Sequence, residues 1–499
     1  MKYREQIESW IDAHRAEMLE DIKTLCRIDS SMGEAVPAEE KAPESGMPFG
    51  EGPYTALKAA EKMISGYGLK TTNYDNYVLT ADLNDGEHEL DILAHLDVVP
   101  GQEGWTVTEA FEPKIVEEEG RIYGRGTSDD KGPAVAALYA MRAVKELGIP
   151  VKKNARLILG TNEENGSACI AHYYKKEKEA PMTFSPDGEY PVVNIEKGRL
   201  PAKFSMSWDK QRTGARIMHI SGGKVANAVP PRAVAVLAGI SQMVVDVLAA
   251  EITKVYGVKF ETVRGGGDLV SDKDAGTDTL LTVTAIGRNA HASLPKEGIN
   301  ALTALLALLA ELPVEETNAG YTGHEAGAAQ AVRSLCWLMP HGETDGTSLG
   351  IMTEDRECGP LTLAFTQLEL NQTGMTGLFD CRYPAAIAPS DLVKICRQKF
   401  EAEGMHFESE GMTVPHKVPA DTPLVKELNR VYEEYTGLPG GCIALGGSTY
   451  VHELENGVAF GACLPGTDTR MHAPDEFAVI EELVVSAKMF AQIIADLCE

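Results

Sequence analysis

The chain has 499 residues, too many for one ordinary hydrophobic core, and 43% of them are hydrophobic, so a globular protein of two domains, or of one domain with a large insertion, is expected. Its 46 Lys and Arg face 74 Asp and Glu, and the resulting formal charge of −28 argues against nucleic acid or an anionic membrane as a partner, since both need a basic face. The 9 cysteines are odd in number, scattered and without a C-x-x-C pair, which implies reduced thiols and a cytoplasmic setting rather than a disulfide framework.

The chain opens on "MKYREQIESWIDAHRAEML", an amphipathic helix pattern without the apolar stretch of a signal peptide, and no run approaches the ~20 apolar residues of a membrane span. A Pro/Gly/Glu-rich loop follows, "GEAVPAEEKAPESGMPFGEGP", whose composition suits a surface excursion near a site. Regular alternation then sets in. "LDILAHLD" is a buried-strand run, "GPAVAALYAMRAVKELG" a helix, "ARLILGTNEE" a strand, "SACIAHYYKKEKE" a helix and "PMTFSPDGE" a third strand. Such a βαβαβ succession predicts a largely parallel sheet covered by helices. From Pro191 the pattern changes to half-exposed strands, "LPAKFSMSW", "GARIMHI" and "TLLTVTAIGR", broken by helical runs such as "GINALTALLALLAEL". After "MTGLFDCRYP", helices at "PSDLVKICRQKFEAEG", "PLVKELNRVYEEYTG" and "VIEELVVSAKMFAQIIADL" return to the first style. The expected fold class is therefore α/β, a mostly parallel sheet domain with helices on both faces (1–190 and 385–499), interrupted by an inserted α+β lid (191–384).

In open α/β sheets, ligands bind beyond the carboxyl ends of the strands. Here those ends carry His95 and Asp97, Glu163 and Glu164, and Asp187, while "YGRGTSDDKG" adds Asp129 and Asp130 between the first strand and its helix. Any one of these would ordinarily be structural. Together at one sheet edge, unpaired carboxylates would repel one another and strand charge away from water, and a divalent cation resolves that repulsion. Imidazole and carboxylate ligands without cysteine suit zinc, with manganese or cobalt as alternatives.

"AHLDVVP", "YGRGTSDDKGP", "GTNEENGS", "SPDGEYPV", "NAHASLP" and "MHAPDE" resemble, in order and spacing, the motif series of the co-catalytic zinc peptidases and aminoacylases, in particular the bacterial dipeptidase V (PepV-like) and carnosinase branch. The resemblance implies two metal ions, one held by His95, Asp129 and Asp187 and the other by Asp129, Glu164 and His472, with Asp129 bridging. It implies Glu163 as the general base, and His291 in the insertion as a donor to the developing oxyanion. Asp97, two residues beyond His95, is placed to accept the imidazole N–H. Asp130 is read as a supporting or capping neighbour, and Lys131 as an exposed charge at the helix start. Arg382, Asn227 and Gly447 match positions near the substrate, Arg382 as a clamp for a terminal carboxylate. Ser448 and His452 in "LGGSTYVHE" depart from the family's Gly-Gly-Gly-Thr-Tyr-Ala-Arg pattern. The implied activity is hydrolysis of dipeptides with a free N-terminus, with N-acyl amino acid deacylation by the same centre as the alternative; the insertion 191–384 is long enough to cover the site in cis, so a monomer is expected.

Overall fold

An apolar run without alternation needs cover on both faces, and Leu90, Ile92, Leu93 and Ala94 are all buried in the strand His88–His95. This strand lies at the middle of a sheet, with Asn154–Gly160 on one side and Met182–Ser185 on the other, parallel to both. Gly457–Ala459 extends the parallel block beside Met182–Ser185. The margins are mixed: Val78–Asp82 and Lys70–Tyr74 add antiparallel on one flank, and Val192–Glu196 joins on the other, flanked by His416–Lys417 and Cys442–Leu445. The computed structural model describes residues 1–32, 46–210, 214–271, 273, 278–314 and 327–499; of the excursion expected from Gly33, residues 33–45 lie outside these.

One face of the sheet is covered by the helix Lys131–Glu146, buried along nearly its whole length and packed against Arg4–Cys26 and Ile480–Leu497. On the other, Leu93 and Ile158 pack with Cys169, Ile170, Tyr173 and Tyr450. The chain runs from His88–His95 to the strand on one side and then back across it to the strand on the other. That reversal opens the crevice in which ligands of such sheets bind.

By its contacts the chain divides into one unit of Met1–Glu196 with His416–Glu499 and a second of Lys197–Pro415. Among the described residues the second unit carries an eight-stranded sheet that is antiparallel throughout, from the edge strand Lys259–Arg264 to His406–Ser409. The period-2 burial of Gly198–Ser207 shows why: one face meets the core and the other does not. Ala301–Ala310 and Ala328–Leu338 supply helical cover. Pro389–Ala402, expected to return to the first style, packs in this second unit, where Leu392, Cys396 and Phe400 join the core that holds Phe204, Phe379 and Phe407. The mixed α/β unit with a parallel centre and the separate antiparallel sheet-and-helix unit are the fold class read from the sequence.

Lys131 corrects its expectation. It is fully buried, and its Nζ donates to the carbonyls of Leu25 at 3.1 Å and Ile28 at 2.9 Å, where the helix Arg4–Cys26 ends. A helix C-terminus concentrates partial negative charge, which attracts the ammonium, while burial pulls its pKa down to about 8. Lys131→Met should lower the stability of the first unit by about 1–3 kcal/mol, because two buried acceptors lose their donor. Denaturant unfolding of parent and variant measures it.

Candidate metal centre

The strand His88–His95 delivers His95 to the carboxyl edge with its side chain wholly buried. Its Nδ1 lies 2.9 Å from the carbonyl oxygen of Asp97, an atom that only accepts, so Nδ1 carries the proton. Nε2 then points at Asp129 Oδ1, 3.0 Å away, and at Asp187 Oδ2, 3.7 Å away. The Asp97 carboxylate does not take the imidazole N–H expected of it. It stands 3.6 Å from Nδ1 and accepts instead from the backbone N–H of Glu163 and of Glu164, each at 3.0 Å, holding the turn after Asn154–Gly160.

Asp129 is shared. Its Oδ1 faces His95, whereas its Oδ2 lies 2.8 Å from His472 Nε2, which is also 3.3 Å from Glu164 Oε2. His95, Glu163 and Asp187 offer ligand atoms within 4.8 Å of one another, and so do His95, Asp129 and Glu164. Two groups of side chains can therefore each hold a metal ion.

The electrostatics fit cations. Burial first, then the neighbouring Asp129, pushes Asp187 up to about 7, and burial with the surrounding carboxylates raises Glu163 and Glu164 as well. Asp129 is held below the usual carboxylate range: burial opposes this, but hydrogen bonds from His472 and His95 outweigh it. His95 itself is pushed up, since the pull of Asp129 overcomes burial. Glu164 Oε1 is buried and has no hydrogen-bond partner among the described residues. Carboxylates that raise one another, an orphaned oxygen and an imidazole lone pair aimed at acids make a donor set that divalent cations satisfy.

The turn that carries Asp129 needs a glycine on each side of it. Gly126 has φ of 85°, and a Cβ on Gly132 would meet the Thr127 carbonyl oxygen at 2.0 Å. Asp130, joined to Asp129 by a cis peptide, is completely buried, and its Oδ2 accepts from the backbone N–H of His95 at 3.0 Å.

Residue-type reasoning missed Glu476. Phe477–Val479 pairs with Arg121–Tyr123, which brings Glu476 beside the glycine loop. Its Oε1 accepts from the backbone N–H groups of Gly126 at 3.0 Å, Ser128 at 3.1 Å and Asp129 at 3.3 Å, while Oε2 accepts from Arg125. Burial pushes it up to about 7 despite Arg125. The only signal was the acidic pair ending "MHAPDE", and nothing local distinguishes that pair from a solvated turn.

The other expected residues fall into separate groups. Gly447 lies in a loop tied down by Glu196, which accepts from Thr449 N at 3.1 Å, Thr449 Oγ1 at 2.9 Å and His452 Nδ1 at 2.9 Å, so the departing His452 is paired with a buried carboxylate. In the second unit, Ala228–Val229 pairs with Ala290–His291, and Asn227 accepts from Ala292 N at 2.8 Å, which makes Asn227 and His291 neighbours. His291 Nδ1 is 2.6 Å from Ser293 Oγ. Arg382 is buried on Asp380.

Residues 92–496 match peptidase family M20/M25/M40. This chain is a member of that family. Among curated relatives it is 32% identical over 498 residues to a Beta-Ala-Xaa dipeptidase of Lactobacillus delbrueckii subsp. lactis, covering 100% of this chain and 98% of the relative. It is 31% identical over 490 residues to the putative dipeptidase YtjP of Bacillus subtilis, covering 97% and 98%. Among solved structures, human carnosine dipeptidase 1 shares the fold with a TM-score of 0.59 at 14% identity, covering 100% of this chain and 99% of that one. The di-peptidase Dug1p of Saccharomyces cerevisiae does so with 0.57 at 14%, covering 100% of both. Membership of the M20 family and the paired ligand groups together support metal-dependent peptide hydrolysis. No helix of the described residues is long and apolar enough to cross a membrane.

Glu476→Gln replaces one acceptor oxygen with an amide that faces either backbone N–H groups or Arg125. It should cost about 1.5–3 kcal/mol of stability and release metal at lower chelator concentration than the parent. Thermal unfolding and elemental analysis after graded dialysis give the two readouts.

Proposed function

We propose that this protein hydrolyses dipeptides bearing a free N-terminus at a dinuclear, most simply zinc, centre. His95, Asp129 and Asp187 would hold one ion and Asp129, Glu164 and His472 the other. The observation that carries this reading is Asp129, whose two oxygens face different imidazoles at 3.0 and 2.8 Å, as a bridging carboxylate requires. Two relatives of nearly full coverage, both named as dipeptidases, support the substrate class.

Bound ions of this kind supply Lewis acidity to the scissile carbonyl and lower the pKa of water. The chain supplies the rest. Glu163, raised by burial and by its acidic neighbours, is suited to take a proton from the attacking water and pass it to the leaving amine. Asp97 fixes the backbone on which Glu163 and Glu164 sit. His291, exposed and oriented by Ser293, is the residue we assign to the developing oxyanion, on the strength of the "NAHASLP" motif. We further propose that the monomer is catalytically complete, so that activity per chain is constant on dilution. Assay of dipeptides against N-acetyl amino acids, with zinc, manganese or cobalt, separates this reading from deacylation.

Asp129→Ala should lose metal and activity together, whereas Glu163→Gln should keep metal and lose turnover. A fully metallated, active Asp129 variant would remove the bridging assignment. His291→Ala should lower kcat about 10²–10³-fold with metal content unchanged. Turnover within about threefold of the parent would instead mark His291 as a loop residue.

A further inference from the structure

Of the side chains assigned to the metal centre, His472 is the least enclosed: it is 47% exposed, against 0% for His95 and 5% for Asp129. No strand or helix carries it. It lies between Ala462–Cys463 and Phe477–Val479, in a stretch where Arg470, His472 and Asp475 all take left-handed backbone, with φ of 57°, 62° and 59°. Such angles are unfavourable for residues with a Cβ, and three of them so close together persist only where the surroundings hold them. The imidazole has no hold of its own. His95 Nδ1 is fixed by the carbonyl oxygen of Asp97, whereas among the described residues His472 Nδ1 has no hydrogen-bond partner. Whatever holds the backbone of this stretch therefore decides where His472 Nε2 points.

The main hold is Asp475. It is buried and reaches across to a segment that supplies no ligand: Oδ1 accepts from the backbone N–H of Thr106 at 2.7 Å and of Val107 at 3.0 Å, and Oδ2 from Thr106 Oγ1 at 2.7 Å. Oδ2 also accepts from Arg470 Nη1 at 3.3 Å, so one carboxylate clasps the stretch on both sides of His472. Two single ties add to it, from Gln102 Nε2 to the His472 carbonyl oxygen at 2.9 Å and from Arg125 Nη2 to the Ala473 carbonyl oxygen at 3.4 Å. Asp475 is in neither group of side chains able to hold a metal ion.

We propose that Asp475 is a positioning residue for one of the two ions: by fixing the chain before and after His472 it aims Nε2 at Asp129 and Glu164, and so sets the affinity of the ion those three would share. The inference rests on the assignment of His472 as a ligand above. Without the clasp, Arg470 and His472 can relax to ordinary backbone and carry the imidazole off its line. The ion assigned to His95, Asp129 and Asp187 has no such dependence, since the His95 ring is fixed from within its own sheet.

The test titrates the metal-free protein with cobalt and follows the visible absorption of the bound ion, so no turnover is needed. The parent should take up two equivalents, and His472→Ala identifies the one that His472 serves. Asp475→Ala should weaken that equivalent about tenfold and leave the other unchanged, because groups that orient a metal-bound imidazole are worth about 10–100-fold in affinity. Asp475→Asn keeps an oxygen for the two amides and should recover part of the loss. Thr106→Val removes one donor to Asp475 and decides the matter even where the Asp475 variants fold poorly; it should weaken the same equivalent about threefold. Equal weakening of both equivalents, or unchanged cobalt affinity in Thr106→Val and in a folded Asp475→Ala, overturns the proposal. A parent that binds a single equivalent refutes the dinuclear reading by itself, and Asp475 is then judged on that equivalent: His472→Ala and Asp475→Ala should both weaken it, and unchanged affinity in Asp475→Ala rejects the positioning role. Cobalt uptake that His472→Ala leaves intact removes the ligand assignment and this proposal with it.

Discussion

Four carboxylates and two imidazoles converge on the carboxyl edge of three parallel strands, and the mutual repulsion of those acids is the constraint around which the first unit is built. Asp129, Glu163, Glu164 and Asp187 are too close and too dry to be ionised together without positive charge among them. His95 and His472 balance part of it from two sides. Paired cations balance it fully, which is why the same geometry that is awkward for a protein alone is apt for a metallohydrolase.

The supporting acids share a habit that follows from this constraint. Asp97 binds the amides of Glu163 and Glu164, Asp130 the amide of His95, and Glu476 the amides of the loop that ends in Asp129. Each fixes a candidate site residue through its backbone and leaves the side-chain oxygens or ring nitrogen untouched. Position is therefore secured while the side-chain oxygens and Nε2 stay available to an ion. The cost is a shell of buried carboxylates, offset by main-chain donors and by Arg125. Lys131, next to this shell in sequence, turns the other way and ties the first helix down.

The second unit uses the same economy of one acid for several donors. Asp380 organises two arginines across adjacent strands, and an all-antiparallel sheet makes this possible because directly opposed residues are forced onto one face. Its core, which includes Leu200, Phe204, Phe379 and Phe407, packs on the opposite face of that sheet.

Much of this was legible from local pattern. Apolar runs of strand length, a helix opened by Gly-Pro and acidic or histidyl strand ends depend only on neighbours a few residues apart, so the parallel core, a separate α+β unit of half-exposed strands and the cluster at one sheet edge could be read directly. The return of Pro389–Ala402 to the second unit could not, because an amphipathic helix states that it must pack and not against what. The roles of Asp97, Lys131 and Glu476 were hidden for a related reason. Glu476 acts on Gly126 across 350 positions, and Lys131 on Leu25 across 106, so a carboxylate or an ammonium that looks solvated in its own segment is buried and paired only once distant segments meet. The sequence by itself determined the kinds of ligand and the edge at which they gather, since strand period and residue chemistry are local; which oxygen faces which imidazole, and which charges are taken out of water, were decided by the tertiary structure, because those distances exist only between segments that the folded sheet brings together.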